Sequence, residues 1–103
     1  MPIQIADLGP TVDVAAVRGA EVAVWKSGAS HLTAKVTDVR VVGDWAVLQW
    51  DVGESGGMSA YHRKPDGSWL RFAHGGGAFA AVDLEKLGVP QAIARRLVPG
   101  SPG

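Results

Sequence analysis

The chain contains histidine and methionine side chains, and both types can bind a metal ion. The three histidines are His31, His62 and His74. If Pro65-Asp66-Gly67 is a hairpin loop, Met58 and His74 face each other across two strands. A thioether with an imidazole suits Cu(I), because soft ligands select soft ions. The pattern predicts a Cu(I) site at Met58 and His74 that is either open and weak or completed by another copy. His62 lies about 13 Å along the strand from Met58, too far to be a third ligand without a bend.

A purely structural role for the same residues stays open. Met58 then fills a gap at the edge of the core, and His74 hydrogen-bonds a backbone carbonyl. Asp51 and Glu54, near one end of the sheet, are either an acid–base pair or ordinary solvated carboxylates. Gly75-Gly76-Gly77 lacks the Gly-Lys-Ser/Thr of a phosphate-binding loop, which favours a flexible exit from the sheet. No cofactor other than Cu(I) is predicted.

Two aromatic and two basic side chains share one face of the second predicted hairpin. They are Tyr61, Arg63, Trp69 and Arg71. As cross-strand neighbours they can form cation-π pairs, either as a self-stacked solvent face or as a contact surface. Trp, Tyr and Arg are the usual anchors of protein interfaces. We therefore predict a partner-binding surface here, for a homodimer or for another protein.

Composition excludes several classes of protein. The formal net charge is zero, from ten basic and ten acidic residues, which argues against nucleic-acid binding and against a polybasic membrane surface. No apolar run approaches a membrane span, so no membrane insertion is predicted. The chain has no cysteine, and thus neither disulfides nor thiol chemistry. The sequence predicts a cytoplasmic protein if Met1 is the native start, and a periplasmic one if an export signal was removed.

The clearest structural pattern is a hairpin with Gly43-Asp44 as its two-residue loop. It joins a strand from about residue 32 to 42 with a strand from 45 to 52. Its register pairs Val42 with Trp45, Val41 with Ala46, and Val39 with Leu48. Alternation then predicts that Trp50 is buried and that Trp45 lies on the other, more exposed face. The phase of the apolar residues slips near Thr37-Asp38, which predicts a β-bulge there.

A second hairpin spans residues 58–64 and 68–74. Its three-residue loop pairs Lys64 with Ser68, His62 with Leu70, Ala60 with Phe72, and Met58 with His74. One face is then Met58, Ala60, His62, Leu70, Phe72 and His74, and the polar face described above is the other. The short connection at 53–57 makes the two hairpins a four-stranded meander.

The two ends of the sequence are predicted to be helical. Val14, Val17, Ala20 and Val24 recur at helical spacing, although the segment 21–25 would also suit a fifth strand. Asp83 can cap a short helix closed by Gly88, and Pro90 suits the start of a last helix that runs to about Val98. Residues 1–98 are thus one domain, and 99–103 a disordered tail.

The order of several short motifs resembles a family of small bacterial proteins labelled copper uptake system-associated, together with their uncharacterised relatives. The likeness covers roughly residues 36–98. The motifs are Val42-Gly43-Asp44-Trp45-Ala46, Trp50, Gly53-Glu54, Gly56-Gly57, Asp66-Gly67-Ser68-Trp69, and Leu87-Gly88-Val89-Pro90 with Ala94 and Leu97. The resemblance implies a helix, a four-stranded meander and a helical C-terminus, together with export and a link to copper.

These patterns together predict an α+β fold, with a four-stranded antiparallel β-meander, an N-terminal helix and short C-terminal helices. We expect the helices on one face of a curved sheet, as in cystatin-like or nuclear-transport-factor-like folds in the broad sense. The leading functional hypothesis is a non-enzymatic interaction module, which self-associates in one version. A copper-handling accessory protein is the second hypothesis, and a small enzyme using a cleft at the sheet edge is the third.

Overall fold

The fold consists of four antiparallel strands between helices at the two ends of the chain. The computed structural model describes residues 8–27, 35–52, 55–76 and 79–98. Its elements are α1 (Thr11–Ser27), β1 (Lys35–Val42), β2 (Trp45–Val52), β3 (Ser55–Arg63), β4 (Trp69–Gly76), α2 (Ala81–Lys86) and α3 (Gln91–Leu97). The strands form one sheet in the order β1-β2-β3-β4. The predicted α+β meander is confirmed, whereas His31, Glu54 and the tail 99–103 lie outside the described residues.

The first hairpin has the predicted register. Val42 pairs with Trp45, Val41 with Ala46, and Val39 with Leu48. Gly43 takes φ = 62° in the two-residue turn, a backbone conformation that glycine adopts without steric cost. The register shifts between Val36 and Asp38, so Thr37 is the extra residue of the predicted bulge.

Helices cover both faces of the sheet, so the expectation that all helices lie on one face is wrong. On one face, α1 packs on a cluster that includes Val39, Val41, Ala46, Leu48, Trp50 and Tyr61. On the other face, α2 and α3 pack on Val42, Val47, Met58 and Ala60. The physical reason is that the first hairpin carries valines on both faces, and an exposed apolar face is stabilised by a second helical layer.

The second hairpin keeps the predicted register only near its turn. His62 pairs with Leu70, but the register shifts between Ala60 and Tyr61. Phe72 is the extra residue of this bulge, and beyond it Met58 pairs with Gly75 and not with His74. The predicted pairs of Met58 with His74 and of Ala60 with Phe72 are therefore wrong.

The first helix exists as predicted, and the alternative of a fifth strand at 21–25 is wrong. Val14, Val17 and Glu21 are buried at a spacing of three and four residues, which places them on one stripe of α1. Just before α1, Leu8 pairs with the outer edge of β1: its N–H donates to Val39 O at 2.9 Å, and Val41 N–H donates to Leu8 O at 2.7 Å. None of the helices in the described residues is both long and apolar enough to cross a membrane.

Asp83 and Pro90 mark the starts of the two C-terminal helices. The Asp83 carboxylate accepts the Ala80 N–H at 2.9 Å, so it caps α2 from within the first turn and does not precede the helix. Gly88 follows α2 with φ = 107°. Pro90 is the N-cap of α3, one position earlier than predicted, and Leu97 ends the helix.

Trp50 is a buried tryptophan on the α1 face, and it is 9% exposed. Its ring meets the edge of Trp25 at a centroid distance of 5.1 Å. A Cβ atom at Gly57, directly across the β2–β3 pair, would overlap the Trp50 ring and the Gly75 carbonyl oxygen. The Trp50 Nε1–H donates to no acceptor within the described residues, so packing holds this indole in place.

Replacing Trp50 by alanine should lower the free energy of unfolding by about 3–5 kcal/mol, because it removes a buried ring and leaves a cavity. Trp45→Ala should cost less, because Trp45 is only partly buried on the opposite face. Denaturant unfolding of both variants measures the two costs. A larger loss for Trp45→Ala than for Trp50→Ala would contradict the observed assignment of faces.

Candidate functional site

The densest polar cluster among the described residues surrounds the carboxylate of Glu21, which is 0% exposed. Its Oε1 atom accepts the Tyr61 hydroxyl at 2.7 Å and Arg71 Nε–H at 3.1 Å. Its Oε2 atom accepts Trp25 Nε1–H at 2.7 Å, the Ser59 hydroxyl at 3.1 Å and Arg71 Nη2–H at 3.0 Å. A carboxylate offers about four lone-pair sites, so five donors saturate it.

Three elements bring these groups together. Glu21 and Trp25 are one helical turn apart on α1. Ser59 and Tyr61 are two residues apart on β3, so they lie on the same face of the strand. Tyr61 pairs with Arg71 on β4, so the guanidinium lies beside the phenol. Arg71 Nη2–H also donates to the Ser59 hydroxyl at 3.2 Å, which closes the cluster on itself. We call these five residues the Glu21 cluster.

The prediction that Tyr61 and Arg71 lie on a solvent-exposed face is wrong. The register of β2 with β3 pairs Ala46 with Tyr61 and Leu48 with Ser59. Opposed residues share a face, so the polar face of the second hairpin continues the apolar face of the first, and α1 covers both. Tyr61 is 1% exposed, and no partner can reach it while α1 stays in place.

Arg63 and Trp69 lie at the turn end of the same face. The predicted cation-π contact exists: Arg63 Cζ lies 4.6 Å from the centre of the Trp69 ring. Arg63 also donates to Asp13 of α1 through Nη1 at 3.0 Å and Nη2 at 3.2 Å, and to Asp44 through Nε at 3.1 Å. The hydrogen bond to Asp13 is the largest cause of a raised Arg63 pKa. Both arginines of the predicted partner surface thus bind α1, and their role in partner binding stays a prediction.

The chemistry of the Glu21 cluster favours a structural role over acid–base catalysis. Both carboxylate oxygens are occupied, and burial, followed by the hydrogen bond to Glu21, raises the pKa of the Tyr61 phenol well above its usual range. A general acid or base needs hydrogen-bond reach to a substrate atom. Neither Glu21 nor Tyr61 lines either of the two cavities described for this chain.

The predicted Cu(I) ligands do not converge. Because of the bulge at Phe72, His74 pairs with Ser59 on the α1 face, whereas Met58 packs on the α2–α3 face. Met58 is 5% exposed, and its Sδ accepts the Phe79 N–H at 3.1 Å. The thioether and the imidazole therefore lie on opposite faces of the sheet. Within the described ranges, no group of three or more His, Asp or Glu side chains could hold a metal ion.

The remaining candidate acid–base residues are dispersed. Asp51 is exposed near the end of β2, and its predicted partner Glu54 lies outside the described residues. His62 stacks flat on Trp45, with ring centres 4.0 Å apart. This contact places the imidazole in an aromatic environment on the α2–α3 face.

An aromatic surface lies at the turn end of that face. Trp45, His62 and Leu70 form a row across β2, β3 and β4, because Trp45 pairs with His62 and His62 with Leu70. The Phe72 ring meets the edge of Trp45 at 5.8 Å. The three rings are partly buried, and Leu70 is 50% exposed. We call these four residues the Leu70 surface. Sequence alternation placed three of them on one face, but it could not show that α2 and α3 cover this end of the face only in part.

The chain was also compared with known proteins. No protein-family model, no curated protein and no solved structure matches it. The resemblance to copper uptake system-associated proteins therefore stays a prediction from the motifs alone.

Tyr61 should remain protonated at a pH where an ordinary tyrosine ionises. The chain contains a single tyrosine, so near-ultraviolet absorbance of tyrosinate reports Tyr61 alone. The urea-unfolded chain should titrate near pH 10, and the folded protein should show no tyrosinate about one pH unit higher. The pKa of Tyr61 is higher in the folded than in the unfolded chain, so the protonated phenol stabilises the fold. This contribution to the free energy of unfolding is fully present below pH 10 and falls as the pH rises further.

Glu21→Gln is the matched variant for this titration. It should lower the midpoint of Tyr61 only in part, because burial is the largest cause of the raised pKa. Equal midpoints for the folded and unfolded wild-type chain would contradict the buried hydrogen bond between Tyr61 and Glu21.

Proposed function

We propose that this protein is a non-enzymatic interaction module that binds a second copy of itself through the Leu70 surface. The observation that carries the proposal is the half-exposed Leu70 side chain beside three partly buried rings. Aromatic side chains contribute much of the energy of protein interfaces, particularly where an apolar group is fully desolvated on binding. A second copy would supply that desolvation.

The position of the surface supports this partner. Leu70 lies on β4, and no strand in the described part of the chain pairs with the outer edge of β4. The surface is therefore approachable both from its face and from the edge of the sheet. In a two-fold dimer the same patch meets itself, which places Leu70 of each copy against the rings of the other.

The charge of the chain supports self-association as well. Two copies with a formal net charge of zero have no net electrostatic repulsion to overcome. The two arginines near this end of the sheet are already paired, Arg63 with Asp13 and Arg71 with Glu21. Charge therefore does not oppose contact between two copies.

The non-enzymatic part of the proposal rests on the Glu21 cluster. Its carboxylate, hydroxyls and guanidinium bind one another beneath α1, and only the arginine is partly exposed. The polar groups best suited to catalysis thus support the fold.

Leu70→Glu should convert a wild-type dimer into a monomer. Placing a carboxylate in a desolvated apolar contact costs about 2 kcal/mol or more, which raises the dimer Kd at least about 30-fold. Sedimentation equilibrium over a range of protein concentrations measures this change.

Leu87→Glu is the matched control, because Leu87 is also 50% exposed but lies after α2 and not on the sheet. It should leave the dimer intact. A wild-type protein that stays monomeric at high concentration would contradict the proposal, as would a dimer that both variants weaken equally or that Leu70→Glu leaves intact.

A further inference from the structure

A cavity of about 100 Å³ lies between the β1–β2 edge of the sheet and the C-terminal helix. Its polar lining comes from Asp38, Arg40 and Gln49, and its apolar lining includes Met58, Phe79 and Leu97. A cavity of about 150 Å³ can hold one benzene molecule. This cavity therefore has room for an aliphatic side chain of about four carbon atoms, with the charged groups of a ligand at its polar, open side. It is separate from the Leu70 surface.

Strand register explains how the lining is assembled. Asp38 pairs with Gln49, and Gln49 pairs with Met58, so one row across β1, β2 and β3 runs from a carboxylate through an amide to a thioether. The bulge at Thr37 separates Val36, which packs on the α1 face, from Asp38, which points to the α3 face. Leu97, which is 1% exposed, closes the apolar end from α3.

The charged groups of the cavity are only weakly paired with each other. Asp38 is 8% exposed, yet among the residues that the structure describes its carboxylate accepts only the Thr37 hydroxyl at 3.1 Å and Arg40 Nε–H at 3.5 Å. The second contact is at the limit of a hydrogen bond. Within the described residues, the Nη atoms of Arg40 and the side-chain amide of Gln49 have no hydrogen-bond partner. A buried carboxylate and a guanidinium thus keep hydrogen-bonding capacity on the polar side of this cavity.

We infer that this cavity binds a small zwitterion of the α-amino-acid class with an aliphatic side chain. The ammonium group donates to the Asp38 carboxylate, and the ligand carboxylate accepts from the Nη atoms of Arg40. The aliphatic chain lies against Met58 and Leu97. One acidic and one basic group make the site neutral overall, so a ligand carrying both charges is matched better than a simple amine or a simple acid.

The two methionines of the chain, Met1 and Met58, provide the probe. With ¹³C-methyl methionine labelling, leucine should shift the Met58 signal in a saturable way. Isopentylamine and 4-methylpentanoate each carry one of the two charges and the same aliphatic chain. Each should bind at least about tenfold more weakly than leucine, because one charge-assisted hydrogen-bonded contact is missing.

Asp38→Asn and Arg40→Gln should each weaken leucine binding by about tenfold for the same reason. Arg95→Gln, an exposed arginine on α3 that does not line the cavity, should leave leucine binding unchanged. If a cavity variant does not fold, the three-ligand series on the wild-type protein decides. Three results would overturn the assignment. They are a Met58 methyl signal that millimolar leucine does not shift, equal affinities for the three ligands, and folded cavity variants that bind leucine as tightly as the wild-type protein.

Discussion

The buried carboxylate of Glu21 is the constraint on which the arrangement of this fold depends. A fully buried charge is stable only when it is paired and hydrogen-bonded, and here five donors from α1, β3 and β4 meet it. Apolar packing of Val14 and Val17 could hold α1 against the sheet at many angles. Only one of these angles brings the Glu21 carboxylate to both the Nε and the Nη2 donor of Arg71.

Because α1 covers one face of the sheet, the apolar residues of the other face are left for the C-terminal helices to cover. The short helices α2 and α3 cover the valines of the opposite face and pack on Val47, Met58 and Ala60. They leave two openings: the Leu70 surface at the turn end, and the cavity beside Asp38 and Arg40. Tyr61, Arg63 and Arg71 of the predicted partner surface thus bind residues of α1. The Leu70 surface and the cavity lie on the opposite face of the sheet.

Local features of the fold could be predicted from the sequence, whereas the relation between the hairpins could not. Turn residues and alternation were enough for the register of the first hairpin and for the bulge at Thr37. The bulge at Phe72 left no signal, because Phe72 and Ala73 are both apolar and either fits the core. Which face of the second hairpin joins the apolar face of the first depends on the β2–β3 register, and alternation within each hairpin does not contain it. Glu21 was missed because a helical glutamate is usually solvated, although its place on the stripe of Val14 and Val17 was a usable signal.

The most direct test of this account is the free energy of unfolding of Glu21→Ala, measured by urea denaturation beside Asp51→Ala. Glu21→Ala leaves Arg71 without its buried counter-charge and should lose about 3–5 kcal/mol of stability, a large part of the total for a domain of this size. Asp51 is an exposed carboxylate, and its removal should change stability by less than about 0.5 kcal/mol. A loss for Glu21→Ala no greater than that for Asp51→Ala would contradict the claim that the buried carboxylate positions α1.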